Sequence, residues 1–228
     1  MDLRRYARQI MPVEIGETGQ QLLSQARVLI IGAGGLGSPV ALYLAGAGVG
    51  HITICDPDVV SISNLHRQIL YDTRSEGKPK AMMAKQRLEQ LNPEVDVRAI
   101  SEPLTEANAD RLITESDLVI DCTDNFATRF IIDSACRRAS KPWIFGAIGE
   151  FSGQIALFGK SGHSLADLYP DLPLERPSVV GAIGPVAGVI SSLQALEAIK
   201  VICNIENNLS GRLLVIDFLS LDFNIIEL

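Results

Sequence analysis

The segment from residue 28 to residue 56 constrains the fold of this chain most. Residues 28–31 are an unbroken apolar run of strand length, and the turn Gly-Ala-Gly-Gly-Leu-Gly follows directly at residues 32–37. Gly32 permits a reversal where a Cβ would clash, Gly34 lets a phosphate approach the backbone, and Gly37 lets the next helix pack on the sheet. Because the free N–H groups of that helix face an anion, the segment predicts a nucleotide-binding α/β fold.

An acid ends the second predicted strand of this segment. Residues 52–55 have strand character, and Asp56 follows them at the position where dinucleotide-type folds hydrogen-bond a ribose hydroxyl. We therefore predict that Asp56 binds a ribose. A glycine turn can also serve packing alone, but a strand, a helix and an acid in register favour nucleotide binding.

Four polar residues beyond Asp56 distinguish the chain from a dehydrogenase: Asn64, Arg67, Gln68 and Lys80. They place two cations and two amides near the carboxyl end of the second strand, with Pro79 starting a helix that runs to about residue 91. A nicotinamide enzyme needs few phosphate ligands, whereas an enzyme that cleaves ATP must neutralise several negative charges. The four residues are therefore predicted triphosphate ligands. The alternative for each cation is a solvated surface charge.

A third polar element follows the fourth predicted strand, residues 118–121. The motif Cys-Thr-Asp-Asn occupies residues 122–125, and open α/β sheets bind ligands at the carboxyl ends of their strands. Asp124 should thus share a crevice with Gly32 and Asp56. A hard carboxylate there suits magnesium, which takes one or two protein oxygens together with phosphate oxygens. The competing interpretation is that Asp124 caps the helix that begins near Asn125.

These motifs, in this order, also carry a resemblance to a known family. The series comprises Arg-Tyr-Ala-Arg-Gln-Ile at residues 5–10, the glycine turn, Asp56, Asn-Leu-His-Arg-Gln at 64–68, Gly-Lys-Pro-Lys at 77–80, Asp-Cys-Thr-Asp-Asn at 121–125 and Gly-Pro-Val-Ala-Gly at 184–188. It resembles the ThiF/MoeB/HesA family, the ubiquitin-activating-enzyme-like adenylyltransferases, over about residues 3–228. Residues 41–50 favour the thiamine-pathway branch of that family.

The resemblance implies an activity and a set of roles. Family members bind ATP and magnesium and transfer AMP to the C-terminal glycine carboxylate of a small ubiquitin-like carrier ending in Gly-Gly, with release of pyrophosphate. By resemblance the nucleotide is bound by Gly32, Gly34, Gly35, Gly37 and Asp56, the phosphates by Asn64, Arg67, Gln68 and Lys80, and magnesium by Asp124. The implied catalytic residues are Arg67, Lys80, Asp124 and Arg8. Arg8 resembles the arginine that reaches the neighbouring subunit's site, which implies a homodimer; the alternative is an ordinary arginine on a terminal helix.

The implied reaction needs positioning and charge neutralisation rather than a base. A C-terminal carboxylate, with a pKa of roughly 3.5, is already ionised near neutral pH. Cations must instead stabilise the phosphates while pyrophosphate leaves in line with the attacking oxygen. His66 is the one histidine within a motif, and we interpret it as a variable position rather than a catalytic group.

Two departures from the family pattern concern cysteine. Many members carry two Cys-x-x-Cys pairs that bind structural zinc, but the four cysteines of this chain stand singly, so zinc is not expected. Some members also use a cysteine shortly before the Gly-Pro-Val motif for thioester or persulfide chemistry. Residues 174–181 contain none, and nothing beside Ser178 offers the base that a serine nucleophile needs. The reaction is therefore expected to stop at the acyl-adenylate.

The composition fits a single domain of this kind. With 228 residues, 47% of them apolar and 21% charged, the chain can bury one core. We predict a Rossmann-like, doubly wound, mostly parallel sheet that continues into antiparallel strands at its C-terminal end. Its parts are an N-terminal helical arm over about residues 1–25, a nucleotide-binding half over 26–150, and residues 151–228, with a long loop at about 160–177 and a long helix at about 185–202.

Charge and patterning exclude some other classes. The net charge of −7 argues against a nucleic-acid surface, and the apolar runs are interrupted by charge before they reach membrane length. No signal-peptide core follows the basic residues near the N-terminus, and unpaired cysteines suit a reducing compartment. We expect a cytoplasmic protein without a nucleic-acid or membrane partner.

Other functions remain open at the level of sequence. The chain could adenylate a free small-molecule or peptide carboxylate, an option that the missing cysteines favour. It could instead be an inactive nucleotide-binding partner subunit, although a scaffold has no need for the charged residues predicted in the crevice. An NAD-dependent oxidoreductase is the most distant alternative.

Overall fold

Eight strands form one mixed sheet within the residues that the computed structural model describes, which are 1–159, 162–170 and 181–228. The strands are β1 Arg27–Ile31, β2 His51–Cys55, β3 Asp96–Ile100, β4 Leu118–Asp121, β5 Trp143–Ile148, β6 Ser152–Phe158, β7 Arg212–Asp217 and β8 Asp222–Glu227. Their order across the sheet is β3-β2-β1-β4-β5-β6-β7-β8. The first five pair in parallel and the last three join antiparallel. The predicted fold class is confirmed.

Helices cover both faces of the parallel part of the sheet. They are α1 Gly16–Gln25, α2 Gly37–Ala47, α3 Lys80–Leu91, α4 Glu106–Thr114, α5 Phe126–Ala139, α6 Leu165–Leu168 and α7 Gly184–Ile202. α2, α3 and α7 pack on one face, and α4 and α5 pack on the other. Strands covered on both sides are almost continuously apolar; all of β4 and all but the first residue of β1 are buried, and Asp121 is the one charged residue among them.

The register of β1 aligns the loops that follow three neighbouring strands. Ile31 is paired with Cys55 of β2 on one side and with Asp121 of β4 on the other. The Gly32 N–H donates to the Cys55 carbonyl at 2.9 Å, and the Cys122 N–H donates to the Ile31 carbonyl at 2.8 Å. Chain connections leave β1 and β4 in opposite directions across the sheet, so the carboxyl edge between them is the crevice where open α/β sheets bind ligands.

The N-terminal arm, predicted to be helical over about residues 1–25, consists of turns followed by α1. Residues 3–10 form turns, and α1 begins at Gly16, which has a φ of 56° that a continuing helix does not allow. Tyr6 fixes these turns, because its ring occupies the space where Gly48 would carry a Cβ and its hydroxyl accepts a hydrogen bond from Asn92 at 2.8 Å. The Tyr6 ring and hydroxyl thus hold the turns that precede α1 against Gly48 and Asn92.

The predicted loop at about residues 160–177 also contains a short helix, α6. Ser164 caps it in a capping box, since the Ser164 hydroxyl accepts the Asp167 N–H at 3.4 Å and the Asp167 carboxylate accepts the Ser164 N–H at 2.8 Å. Leu165 is fully buried, so one cap and one leucine stabilise a single turn without the apolar periodicity of a longer helix. Residues 160, 161 and 171–177 of this loop, and Ser178 beyond it, lie outside the described residues.

Helix α7 is long and apolar enough, by length and composition, to cross a membrane, and it is the one such helix in the described part of the chain. Its mean hydropathy is 1.4, and half of that stretch is buried inside the molecule. The buried side packs on α2, β5 and β6, while the outer side exposes Val189 and Leu196. The high hydropathy therefore combines a core-facing side with an apolar outer side.

Helix α1 packs against the start of β2, where the Gly50 N–H donates to the Leu23 carbonyl at 2.9 Å, and two glycines give a matched test of this contact. A Cβ on Gly50 would stand 1.9 Å from the Ser24 carbonyl oxygen, whereas a Cβ on Gly46 would meet nothing within 4 Å. We expect Gly50→Ala to lower the free energy of unfolding by about 1–3 kcal/mol. Gly46→Ala, on the exposed side of α2, should raise it by roughly 0.5–1 kcal/mol.

Urea denaturation of the two variants and the wild type measures both effects. The midpoint should shift in opposite directions with little change in the dependence of the free energy on urea. A Gly50→Ala protein as stable as Gly46→Ala would show that α1 does not pack against the start of β2 as described.

Candidate functional site

The glycine turn after β1 needs glycine at two positions for its own packing. Gly32 has a φ of 92°, and a Cβ there would lie 2.6 Å from the Cys122 carbonyl oxygen. A Cβ on Gly37 would lie 1.9 Å from the Gly32 carbonyl oxygen. Any side chain at either position would displace backbone, so these two glycines set the shape of the turn and its contact with the loop after β4.

The other two glycines of the turn border the space occupied by predicted phosphate ligands. A Cβ on Gly34 would meet only the Gln68 side chain, at 3.4 Å, and one on Gly35 would meet the aliphatic part of Arg67 at 3.5 Å. The structure therefore brings Arg67 and Gln68 over the turn, as predicted. Because Gly34 and Gly35 present bare backbone to this space, a phosphate can approach their N–H groups closely.

Asp56 holds the turn as well as facing the crevice. Its Oδ2 accepts the Ala33 N–H at 2.6 Å and its Oδ1 accepts the Asp58 N–H at 2.8 Å. Burial raises the pKa of Asp56, and these two bonds and the nearby Lys80 charge oppose the rise. Each carboxylate oxygen retains a second lone pair, so Asp56 can still accept a hydrogen bond from a ribose hydroxyl.

Tyr71 fixes the Ala33 backbone from its carbonyl side. Its hydroxyl donates to the Ala33 carbonyl at 2.8 Å, and Ser38 Oγ approaches that carbonyl at 3.3 Å. The backbone of Ala33 is thus held at both its N–H and its C=O. Sequence reasoning missed Tyr71, which lies three residues after the Asn64–Gln68 motif and carries no motif signal of its own.

Asn64 and Arg67 form a unit rather than two independent ligands. The Arg67 guanidinium donates to Asn64 Oδ1 at 2.9 Å, so the amide orients the cation. His66 Nε2 lies 3.2 Å from the Ala182 carbonyl oxygen, and a Cβ on Gly184 would stand 2.7 Å from the His66 carbonyl oxygen. The loop that carries Arg67 is therefore held against the start of α7, and His66 faces that segment.

Gln68 carries a buried polar atom without a partner. The residue is 4% exposed, and its Oε1 has no hydrogen-bond donor among the described residues. A buried amide oxygen left unpaired costs free energy, and a ligand donor would satisfy it. A phosphate oxygen can accept from the amide nitrogen but cannot donate, whereas a ribose hydroxyl can donate. The Gln68 amide suits a nucleotide that offers both groups.

Lys80, the first residue of α3, is paired with an acid that the sequence did not suggest. Its Nζ lies 2.8 Å from Asp58 Oδ2, and its side chain is 5% exposed while that of Asp58 is 65% exposed. The predicted helix start at Pro79 is one residue early, because Pro79 stands at the cap position. Asp58 fixes the ammonium group at the edge of the crevice, and the Asp-Pro-Asp spacing at residues 56–58 was the available signal.

Asp124 is exposed at the carboxyl end of β4 and does not cap α5. The cap is Asn125, whose Oδ1 accepts the Thr128 N–H at 2.9 Å. No group of three or more His, Cys, Asp or Glu side chains able to hold a metal occurs in the described parts of the chain. A single exposed carboxylate beside a turn predicted to bind phosphate does fit magnesium, which takes most of its other ligands from phosphate and water.

Arg8 lies away from this crevice in its own chain. The neighbouring Gln9 side chain donates to the Ala47 carbonyl at 2.8 Å, and Ala47 ends α2, whose other end is Gly37 of the glycine turn. An eleven-residue helix spans about 16 Å. Arg8 is exposed, with Met11 Sδ as its neighbour at 3.8 Å, so the structure does not bring it together with the other predicted site residues.

Comparison with known proteins identifies the family. The model of the ThiF family matches residues 6–228. The chain belongs to the ThiF family. The predicted resemblance is confirmed over nearly the whole length, including the N-terminal motif and the antiparallel strands.

Several curated relatives are similar along most of the chain. It is 42% identical to the sulfur carrier protein adenylyltransferase of Thermus thermophilus over 97% of this chain and 86% of that protein. It is 43% identical to the sulfur carrier protein ThiS adenylyltransferase of Escherichia coli over 95% of this chain and 87% of that protein. A third relative, adenylyltransferase and sulfurtransferase MOCS3 of Culex quinquefasciatus, is 44% identical, but the chain spans only 50% of its length.

Solved structures show the same fold. Escherichia coli MccB determined with ATP superposes with a TM-score of 0.84 at 24% identity, covering 99% of this chain and 72% of that one. MccB determined with AMPCPP and MccA gives a TM-score of 0.85 at 25% identity over 98% of this chain and 71% of that one. ThiF-type proteins thus share this mixed sheet at low identity.

Gly34→Ala tests whether a phosphate approaches the turn. The new Cβ would make an ordinary contact with Gln68, so the variant should unfold at the wild-type urea concentration. We expect its affinity for ATP to fall about 10-fold or more, because the methyl group occupies the space of close phosphate approach. Calorimetric titration with ATP measures this, with Gly46→Ala as the control. If Gly34→Ala bound ATP with wild-type affinity, the phosphates would not bind close to this turn.

Proposed function

We propose that the chain adenylates the C-terminal glycine carboxylate of a small ubiquitin-like sulfur-carrier protein, using ATP and releasing pyrophosphate. The observation that carries this is the shared carboxyl edge of β1, β2 and β4. There the glycine turn, Asp56, the Arg67 and Gln68 side chains and Asp124 follow strands that are paired in register. Relatives above 40% identity over most of the chain are named for adenylation of sulfur-carrier proteins.

The chemistry follows from the residues around the turn. The attacking carboxylate is ionised, so no base is required. One oxygen of the carboxylate attacks the α-phosphorus of ATP. The bond between the α-phosphorus and the oxygen that bridges it to the β-phosphate breaks, so AMP remains on the carboxylate and pyrophosphate leaves. Arg67 and Lys80 neutralise negative charge on the phosphates, and Asp56 orients the ribose. Asp124 would hold magnesium, which supplies further neutralisation of phosphate charge.

A second candidate is adenylation of a free or peptide carboxylate. MccB, which was determined with AMPCPP and MccA, has the same fold and 25% identity, and the chain has no cysteine in residues 174–181 to accept an activated carrier. The same crevice would serve either acyl substrate, because the nucleotide chemistry is identical.

We place the protein in a homodimer in which Arg8 acts on the partner's nucleotide. Arg8 is at the far end of α2 from its own glycine turn, so it can contribute only in another copy. The outer side of α7 exposes Val189 and Leu196, apolar side chains of the kind that subunits bury.

The remaining expectations concern details that membership of the family does not by itself determine. The thiamine-pathway branch rests on residues 41–50 and on the similarity to the Escherichia coli relative. Zinc is not expected, because the four cysteines lie apart, in β2, after β4, in α5 and after α7, while tetrahedral zinc needs ligands close together. A cytoplasmic location without nucleic-acid or membrane partners also stays an expectation, based on charge and free thiols.

Pyrophosphate exchange into ATP distinguishes the acyl substrates. We expect exchange with small ubiquitin-like proteins that end in Gly-Gly and none with a panel of free carboxylates. Arg67→Ala and Asp124→Ala should each reduce exchange about 100-fold or more and keep the wild-type melting temperature, since both side chains are on the crevice surface. Exchange with free acids alone would reject the carrier, and ATP binding without any exchange would favour an inactive subunit.

A mixed dimer tests the role of Arg8. Arg8→Ala and Asp124→Ala subunits, carrying different tags, are co-expressed and the mixed dimer is purified on both tags. If Arg8 acts on the partner's nucleotide, one of the two sites is complete and about half of the wild-type exchange returns. Each homodimer of the variants serves as a control. An inactive mixed dimer would show that both residues belong to one chain's site.

A further inference from the structure

We infer that Arg129 is a positioning residue for magnesium: its guanidinium fixes the turn that presents Asp124. This rests on the proposed function, in which Asp124 holds the metal of a bound nucleotide. Arg129 is the fourth residue of α5 and points back to the end of β4, so it lies beneath the turn at residues 122–125 rather than in the crevice.

The guanidinium joins two strands and the turn between them. Arg129 Nε donates to Asp121 Oδ2 at 3.0 Å, and its Nη2 donates to the Thr123 carbonyl at 2.7 Å and to the Gly146 carbonyl at 3.1 Å. Asp121 ends β4 and Gly146 lies in β5. The planar guanidinium presents several donors in a fixed geometry, and here that geometry spans a carboxylate and two backbone carbonyls.

The same turn is held from the carboxylate side. Asp121 Oδ1 accepts the Thr123 N–H at 2.9 Å and the Thr123 hydroxyl at 2.6 Å, and Gln194 of α7 donates to the Asp121 carbonyl at 2.7 Å. Thr123 is therefore fixed through its N–H, its hydroxyl and its C=O. Asp124 comes next in the chain, and Asn125 after it is fixed as the cap of α5.

Burial makes this arrangement rigid. Asp121 is 0% exposed and Arg129 is 5% exposed, and the guanidinium carbon lies 4.9 Å from the ring centre of Phe126 and 5.2 Å from that of Phe145. Removing one partner of a buried, hydrogen-bonded ion pair is strongly destabilising, because the other charge is left buried without compensation. Asp124, by contrast, is exposed, and the one side-chain contact recorded for its carboxylate among the described residues is the neighbouring Asn125 amide at 3.5 Å.

The functional consequence is a division of roles. Asp124 contacts the metal. Arg129 contacts neither substrate nor metal, but it fixes the turn and so determines where the Asp124 carboxylate lies. Residues that orient metal ligands in this way typically change metal affinity by 10- to 100-fold when they are altered. Arg129 should therefore affect the magnesium requirement more than it affects the affinity for nucleotide alone.

Calorimetric binding of the non-hydrolysable analogue AMPCPP over a series of magnesium concentrations tests the inference without relying on turnover. Arg129→Lys keeps a positive charge beside Asp121 but cannot span Asp121, Thr123 and Gly146 together. We expect the magnesium concentration for half-maximal AMPCPP binding to rise about 10-fold, with unchanged binding in the absence of magnesium. Ile132→Val, a core change on the same helix, should leave that concentration unchanged.

Two further variants separate the possible failures. Asp124→Ala should abolish the effect of magnesium; if it does not, the metal assignment and this inference both fail. Thr123→Val removes only the hydroxyl contact to Asp121 and should raise the requirement by a smaller factor, so it carries the test if Arg129→Lys does not fold. A residue that serves folding alone would lower the melting temperature and leave the magnesium concentration at the wild-type value, which would overturn the inference. Loss of exchange with carriers, with the magnesium shift intact, would reject only the proposed function.

Discussion

The site depends on one alignment in the sheet. Ile31 is paired with Cys55 and with Asp121, so three loops leave the sheet at the same height. The Gly32 turn, Asp56 and the 122–125 turn are therefore neighbours in space, because the pairing of the strands alone brings them together. A shift of β4 by one residue would turn Asp121 away from Arg129 and move Asp124 off the edge, because strand side chains alternate between faces.

Buried carboxylates then stabilise what the strands align. Asp56 fixes the Ala33 peptide and Asp121 fixes Thr123, each through backbone N–H groups of a turn that has no ladder partner. A backbone donor left unpaired at a buried turn is costly, and a neighbouring acid removes that cost. The two acids at the ends of β2 and β4 therefore serve the same physical purpose, although only Asp56 also faces the proposed ribose.

Sequence reasoning found the elements whose signal is local and missed those that depend on pairing in space. The apolar runs, the glycine turn, Asp56 and the strand-end motif with Asp124 are short patterns, and all appear in the structure where they were predicted. The Tyr71 contact to Ala33 and the role of Arg129 depend on where side chains meet in the fold, so no local pattern marks them. The Asp-Pro-Asp spacing at residues 56–58 was a local signal, but it did not by itself indicate Lys80 as the partner of Asp58. The N-terminal arm shows the same limit, because Tyr6 settles its conformation through Gly48 and Asn92.

The four thiols bear on where the chemistry of this chain ends. Burial raises the pKa of Cys55 to about 11 and raises those of Cys122, Cys136 and Cys203 as well. The thiolate is the form that attacks an acyl group, so these thiols are poor nucleophiles near neutral pH. Cys122 is the one beside the crevice, yet it is buried against Gln194 and next to the Asp121 carboxylate, which disfavours a second negative charge. An acyl-adenylate formed at this site would therefore meet no activated thiol among these four, and its consumption requires a nucleophile from outside them.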